Sequence, residues 1–224
     1  MNNVLKFSFL LVMLSMFVAC KNDKAADAKV SDKAGEVAKT SGKTFSVDGM
    51  ASKVIWEGSK LAGAHSGTVD VKDGSVTVSN GMISGGNFSL DMTSITVTDL
   101  NEGNGKANLE THLKGTAEKG ADDFFNVTKY PTASFEITKV TKRESDPEAN
   151  ILVYGNLTMK NITKEIAFKA QANVKDNMVK VDAPTFKINR TEWGIKYGSP
   201  TFFEGLKEKA INDDIALKID LVAK

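Results

Sequence analysis

From residue 44 onward, apolar and polar residues alternate with a period of two, the pattern of strands that bury one face. Val54 and Trp56 share a face, as do Val69 and Val71, and then Val76 and Val78. Asn80-Gly81 lies between apolar residues on both sides and predicts a hairpin, because both residue types accept the positive φ of a two-residue turn. Asp73-Gly74 has the same chemistry but fits a bend within one long, curved strand. Phe88, Leu90 and Met92 then hold one parity, and Ile95 and Val97 the other. A switch of parity inside one run is what a β-bulge produces.

The period changes after a Gly- and Asn-rich loop at 99–105. Leu109, Leu113 and Ala117 recur at helical spacing and predict a helix over 106–119, with Asn104 as cap and Gly120 as terminator. Residues 122–135 (DDFFNVTKYPTASF) form a hinge between the two alternating blocks. Phe124 and Phe125 are adjacent, so both are buried only if the chain turns there. Pro131 pushes Tyr130 into extended conformation, and a strand starts with Phe135 and Ile137 on one face. A charged turn at 143–150 and strands carrying Ile151, Val153, Leu157 and Met159, then Ile166, Phe168, Ala170, Ala172 and Val174, follow. Asp176-Asn177 turns the chain into residues 179–188, where the parity changes around Pro184. An irregular segment at 190–208 holds Trp193, Tyr197, Phe202 and Phe203, and a last strand carries Ile215, Leu217, Ile219 and Leu221.

About eight strands in meander order, one apolar face throughout and a helical insertion at about 105–125 predict an all-β fold, an eight-stranded antiparallel barrel. Closure removes the exposed edges that so many strands would otherwise present. A barrel of this strand number is near the size at which its interior holds one small ligand. The pattern alone does not separate a hollow barrel from a filled one, because packed core and cavity lining are the same inward face.

Composition changes this picture mainly at the N-terminus. The formal net charge of the 224 residues is +1, which draws in neither nucleic acid nor an acidic surface. Cys20 is the only cysteine, which excludes an intrachain disulfide and a thiolate metal cluster. It follows a lysine-bearing start and an almost wholly apolar stretch at 7–18, the layout of a secretory signal, and that stretch is too short for a membrane span. A small residue directly before cysteine resembles the lipobox of bacterial lipoproteins, in which the cysteine is acylated, although Phe17 stands where Leu is usual. Residues 21–43 carry no aromatic residue and read as a tether. The expected division is a signal peptide at 1–19, an acylated Cys20 with a flexible tether at 20–43, and a barrel domain at 44–224.

Candidate catalytic chemistry is sparse. His65 and His112 belong to no metal-ligand motif, and no GxSxG or P-loop pattern is present. Neither a catalytic residue nor a metal site is assigned, and His112 is read as packing the helix beside the barrel. Arg190 is the most suggestive charged residue. Its guanidinium fits either an ion pair with Asp122, Asp123 or Glu192 that locks the rim, or a ligand phosphate or carboxylate. Lys129, Lys160 and Lys196 are weaker candidates for the same role.

Four fragments in order, HLKG (112–115), DDFFNVTKYPTASF (122–135), GNLTMKNITKEIAF (155–168) and FKINRTEWGI (186–195), resemble the YceI-like family of lipid- or polyisoprenoid-binding domains. The resemblance runs from about residue 44 to the C-terminus. It implies an extended, lipocalin-like barrel with an elongated apolar cavity, and so favours the hollow alternative. Trp56, Phe88, Leu90, Met92, Phe124, Phe135, Ile137, Leu157, Met159, Ile166, Phe168, Phe186 and Ile188 are then the candidate apolar lining, with Arg190 and Lys129 at a polar rim. The implied function is non-enzymatic binding, transport or storage of a long apolar lipid, such as a polyisoprenoid or isoprenoid quinone. No cofactor is expected beyond that bound lipid. Expected partners are the lipid and a bacterial membrane, the outer one in the first instance, reached through the N-terminal anchor, with the domain facing periplasm or cell surface. A homodimer is left open. The alternative is a ligand-free, stress-related structural or interaction lipoprotein whose barrel is filled by bulky side chains.

Overall fold

The computed structural model describes residues 26–224, so the expected signal peptide and Cys20 lie outside the described residues. Three short strands come first: β1 (Ala26–Asp27), β2 (Lys29–Ser31) and β3 (Lys43–Ser46). Eight longer ones follow: β4 (Lys53–Lys60), β5 (Gly63–Ser79), β6 (Met82–Val97), β7 (Thr132–Lys142), β8 (Ile151–Met159), β9 (Ile162–Lys175), β10 (Met178–Asn189) and β11 (Ile211–Ala223). Each of the eight pairs antiparallel with the next, and β11 pairs with β4, which closes the barrel.

Chain direction sorts the connections into two ends. The β4–β5 turn, the excursion at 98–131, the β8–β9 turn and the loop at 190–210 crowd one end, called here the mouth. Asn80-Gly81, the charged turn at 143–150 and Asp176-Asn177 lie at the opposite base. Asn80 and Gly81 take φ of 51° and 75°, the paired positive values that the hairpin reading requires. Asp73-Gly74 stays inside β5 as a bend with a register shift, as the curved-strand alternative has it.

Both parity switches are bulges. Thr68 faces Thr96 while Asp70 faces Asp91, so two steps along β5 span five along β6. Asp91 holds the extra residues: its carboxylate accepts from the Thr93 N–H and hydroxyl at 2.9 and 2.6 Å. Ser94 Oγ donates to the Asp91 carbonyl and accepts from the Asp70 N–H at 2.8 Å. The result turns both Met92 and Ile95 inward. In β10, Ala183 faces Ile219 and Phe186 faces Leu217, so one extra residue is absorbed at Pro184-Thr185. Proline has no N–H to give a ladder and is tolerated at such a bulge.

Two expectations need correction. The helix α1 (Lys106–Lys114) ends at Gly115 rather than running to 119. Gly115 adopts φ 68° and its N–H donates to the carbonyls of His112 and Thr111, so a left-handed cap stops the helix before Ala117 can join its face. Asn104 ends a preceding single turn, and its side chain makes no cap bond. The flexible-tether reading also fails for residues 26–31. Direct pairing of β9 with β10 covers only 171–175 and 178–182. Nearer the mouth the two strands diverge, and the chain start fills the seam: β1 pairs with 186–187 of β10, and β2 with 165–167 of β9. Residues 32–42 then cross the outside of the barrel. Asn156 exchanges two hydrogen bonds with Gly35 at 2.8 and 2.9 Å, and the Ala38 N–H donates to the Ile137 carbonyl. Counting apolar residues misses such a segment because its backbone groups, not its side chains, are what the open strand edges demand.

Candidate functional site

The inward faces of the eight long strands enclose two apolar cavities stacked along the bore. The larger, at the mouth, has a volume of ≈ 470 Å³, within the roughly 300–1,000 Å³ of small-molecule sites. The smaller, toward the base, measures ≈ 100 Å³ and has only apolar side chains on its wall. Val54, Leu90, Leu157 and Leu217 belong to both walls, so the two compartments adjoin.

Every apolar residue singled out from the sequence lies on one wall or the other. Trp56, Met92, Phe124, Met159 and Ile188 line the large cavity. Phe88, Phe135, Ile137, Ile166, Phe168 and Phe186 line the small one, and Leu90 and Leu157 bridge them. Four of the phenylalanines form a row across the bore. Successive ring centroids lie 6.3 Å (Phe88–Phe135), 5.7 Å (Phe135–Phe168) and 4.6 Å (Phe168–Phe186) apart, the last pair parallel within 4°. This row is why the base compartment is small. The barrel is therefore hollow at the mouth and mostly filled below it.

Two glycines make room for aromatic walls. Phe135 lies over Gly155, where an added Cβ would come within 2.2 Å of the ring. Trp56 lies over Gly67, its cross-strand partner, in the same way. Trp56 Nε1 is the one buried side-chain polar atom without a hydrogen-bond partner among the described residues.

The excursion at 98–131 forms part of the cover at the mouth. Leu109 and Leu113 of α1 and both Phe124 and Phe125 face the large cavity. The chain turns at 121–124, as the burial of two adjacent phenylalanines requires, and Asn126 follows them at φ 46°. His112 Nε2 lies 3.0 Å from Asp123, and its ring packs edge-on to Phe124 and Tyr197. His65 Nδ1 lies 2.8 Å from Asp99. Both histidines reach the cavity wall. Lys160 Nζ donates to the Phe124 carbonyl at 2.6 Å, and burial pulls its ammonium below the usual lysine range. It holds the hinge in place.

The polar-rim candidates part company. Lys129 is exposed, stands over the Tyr130 ring at 5.1 Å and lines neither cavity. Arg190 is only 2% exposed and does line the large cavity. Its ion-pair partner is Asp213 at 3.4 Å, not Asp122, Asp123 or Glu192. The guanidinium also donates to the carbonyls of Ile195, Ile211 and Asn212 at 2.9–3.1 Å. Both ends of the 195–213 loop are thereby tied to one side chain. Asp213 comes from the start of β11, which antiparallel pairing with β10 brings alongside the end of that strand, where Asn189 faces Asp214. Sequence reasoning also passed over Val69, Ile95, Ile195, Tyr197, Ile215 and Leu217 as lining. Parity already pointed Leu217 inward with Ile215; the loop residues carried no such signal.

A closed, eight-stranded antiparallel barrel with an apolar bore open at one end defines a lipocalin-like class of protein. Within that class, the YceI-like domain family model matches residues 45–223, and the chain belongs to this family. It is 33% identical over 138 residues to a UPF0312 protein of Pseudomonas savastanoi pv. phaseolicola, covering 55% of this chain and 70% of that one. A UPF0312 protein of Shewanella sp. is 33% identical over 94 residues, a match that spans 44% of its length and 39% of this chain. Among solved structures, Burkholderia cenocepacia BcnA superposes with TM-score 0.58 at 17% identity, over 80% of this chain and 99% of that one. A polyisoprenoid binding domain from Saccharophagus degradans does so with TM-score 0.56 at 12% identity, over 84% and 99%. At these identities the two structures share the fold with this chain.

Proposed function

We propose that the protein binds one long apolar lipid, a polyisoprenoid, an isoprenoid quinone or a similar amphiphile, in the barrel bore and carries or stores it without transforming it. The observation that carries this reading is the ≈ 470 Å³ apolar cavity at the mouth, continued by an all-apolar compartment beneath it. Each buried CH₂ contributes about 0.8 kcal/mol, so a dozen buried carbons supply roughly 10 kcal/mol before the cost of ordering the chain. Such a ligand needs few polar contacts. The polar groups around the cavity, Ser59, Lys60, His65, His112 and Tyr197, suit the head of an amphiphile whose tail points to the base. The polyisoprenoid-binding relative of the same fold supports the same ligand class.

In this reading Cys20 is acylated and tethers the domain to a bacterial membrane, the outer membrane in the first instance, with the barrel in the envelope. No nucleic acid takes part. The ligand-free structural alternative drew its support from a filled interior, and the phenylalanine row meets that condition only at the base.

Native mass spectrometry of the protein purified from a bacterial host, followed by organic extraction, tests the proposal. A stoichiometric prenyl lipid or quinone is the expected result. A barrel that is empty as purified, and that stays empty after incubation with polyprenols and quinones, would overturn it.

A further inference from the structure

The mouth carries a second feature. Of the nine large apolar residues exposed among the described residues, five lie at this end: Leu61, Ile162, Tyr197, Phe202 and Phe203. Leu61, at the tip of the β4–β5 turn, is 84% exposed, and Phe202 and Phe203 are about half exposed.

The two phenylalanines are held out by a built loop. Ser199 is fully buried, its carbonyl accepts from the N–H groups of both Phe202 and Phe203, and Thr201 Oγ1 donates to Asp213 at 2.6 Å. The Arg190 guanidinium ties the loop's two ends together beneath them. Fixing two rings in water opposes the usual drive to bury them, which marks such a patch as an interaction surface.

Charge points to the partner. Lys196 stands over the Phe202 ring at 4.3 Å, Lys60 directly precedes Leu61, and Lys207 and Lys209 lie in the single turn that follows Phe203, against Glu204 and Glu208; none of the four lysines pairs with a carboxylate among the described residues. Aromatic rings interleaved with lysines are the chemistry of an anionic lipid interface.

We infer that the mouth of the barrel docks on an anionic bilayer surface, with Leu61, Phe202 and Phe203 inserted at the headgroup level and the lysines on lipid phosphates. The bore then opens onto the membrane, and a lipid passes between the two without crossing water. The inference rests on the lipid-binding reading for its purpose, and on exposure and charge for its geometry. The chain start permits it. β1 pairs with Phe186, three residues short of the mouth end of β10, and five residues separate Ala26 from Cys20, a reach of at most about 20 Å. An anchor at Cys20 leaves the mouth free to meet the same bilayer.

The test places an environment-sensitive dye at Phe203→Cys, or at Asn177→Cys in the base turn, in the full chain carrying Cys20→Ser. Each is mixed with vesicles of phosphatidylglycerol and phosphatidylcholine containing spin-labelled lipid. The dye at 203 should shift to the blue and be quenched, and the dye at 177 should stay aqueous. Lys196→Gln with Lys207→Gln, two residues off the cavity wall, should lower the docked-to-undocked ratio about 30-fold. An aqueous dye at 203, or equal quenching at both positions, overturns the docking. Equal response on pure phosphatidylcholine overturns the anionic component. Organic extraction of the same preparations separates the two ideas: bound lipid with an aqueous dye at 203 sinks the docking alone, whereas an empty barrel with a quenched dye at 203 sinks the lipid-binding reading alone.

Discussion

The two halves of the bore are built from the same strands with the same inward parity, yet one is open and the other nearly full. At the mouth the wall is Val54, Met92, Ile95, Met159, Ile188 and Leu217, with the aromatic rings of Phe124, Phe125 and Tyr197 at its cover. Toward the base, Phe88, Phe135, Phe168 and Phe186 meet across the barrel and leave ≈ 100 Å³. Strand number sets the diameter of a small barrel. Whether that diameter becomes a cavity depends on whether large inward side chains fall at the same level on neighbouring strands. The phenylalanines do so here, and their stacking supplies the rigid floor against which a bound tail would end.

The largest effect is expected from breaking that floor. Phe168→Ala removes a buried ring from the row and should cost about 4 kcal/mol of stability, read by chemical denaturation. If the protein still folds, the same change merges the compartments, and extraction should recover lipids of longer chain. Unchanged chain length would mean that the row is not the floor. At the mouth, Arg190→Met leaves three carbonyls without their donor and Asp213 without its cation, and should cost about 3 kcal/mol. Its melting temperature should fall together with quenching of a dye at 203, because the loop loses its tie.

Leu90→Trp tests the junction between the halves. A ring that displaces about three methylenes of ligand should weaken lipid binding by roughly 50-fold, measured by titration with a fluorescent polyisoprenoid. Equal affinity would place the ligand elsewhere. Gly155→Ala pushes Phe135 off the strand beneath it and should destabilise by about 1–2 kcal/mol, visible in the same denaturation experiment.

The smallest effect concerns the base surface, away from both cavities. Asp146 is held down to about 2 from the ordinary 3.8 by its hydrogen bond to Lys169, the Glu148 N–H and Arg143. A depressed carboxylate contributes stability that is present above pH 3.8 and is lost as pH falls toward 2. Asp146→Asn should therefore melt lower than the parent near neutrality, and the gap should narrow across that acid window. A gap independent of pH would deny the ion pair its role.

Much of this was legible in the residues themselves. Alternation places Phe88, Leu90, Phe135, Ile137, Leu157 and Phe168 on one face without any partner strand being known, and all of them line the bore. The Asn80-Gly81 turn and the bulges around Met92 and Pro184 were equally local, because positive φ and a switch of parity are properties of a few consecutive residues. Arg190 was recognised as important, but not for its partner. The seam between β9 and β10, filled by residues 26–31, left no trace in composition. Gly67 and Gly155 each lie under a ring from the next strand, Trp56 and Phe135, a contact that no local pattern announces.

The sequence by itself thus determined the strands, their buried faces and the family to which they belong, since these depend on period two, on turn chemistry and on contiguous motifs. Only the tertiary structure decided which inward residues enclose space and which fill it, which carboxylate Arg190 meets, and what covers the open seam. Those outcomes depend on the levels at which residues of different strands meet once the strands pair, and no local pattern encodes that level.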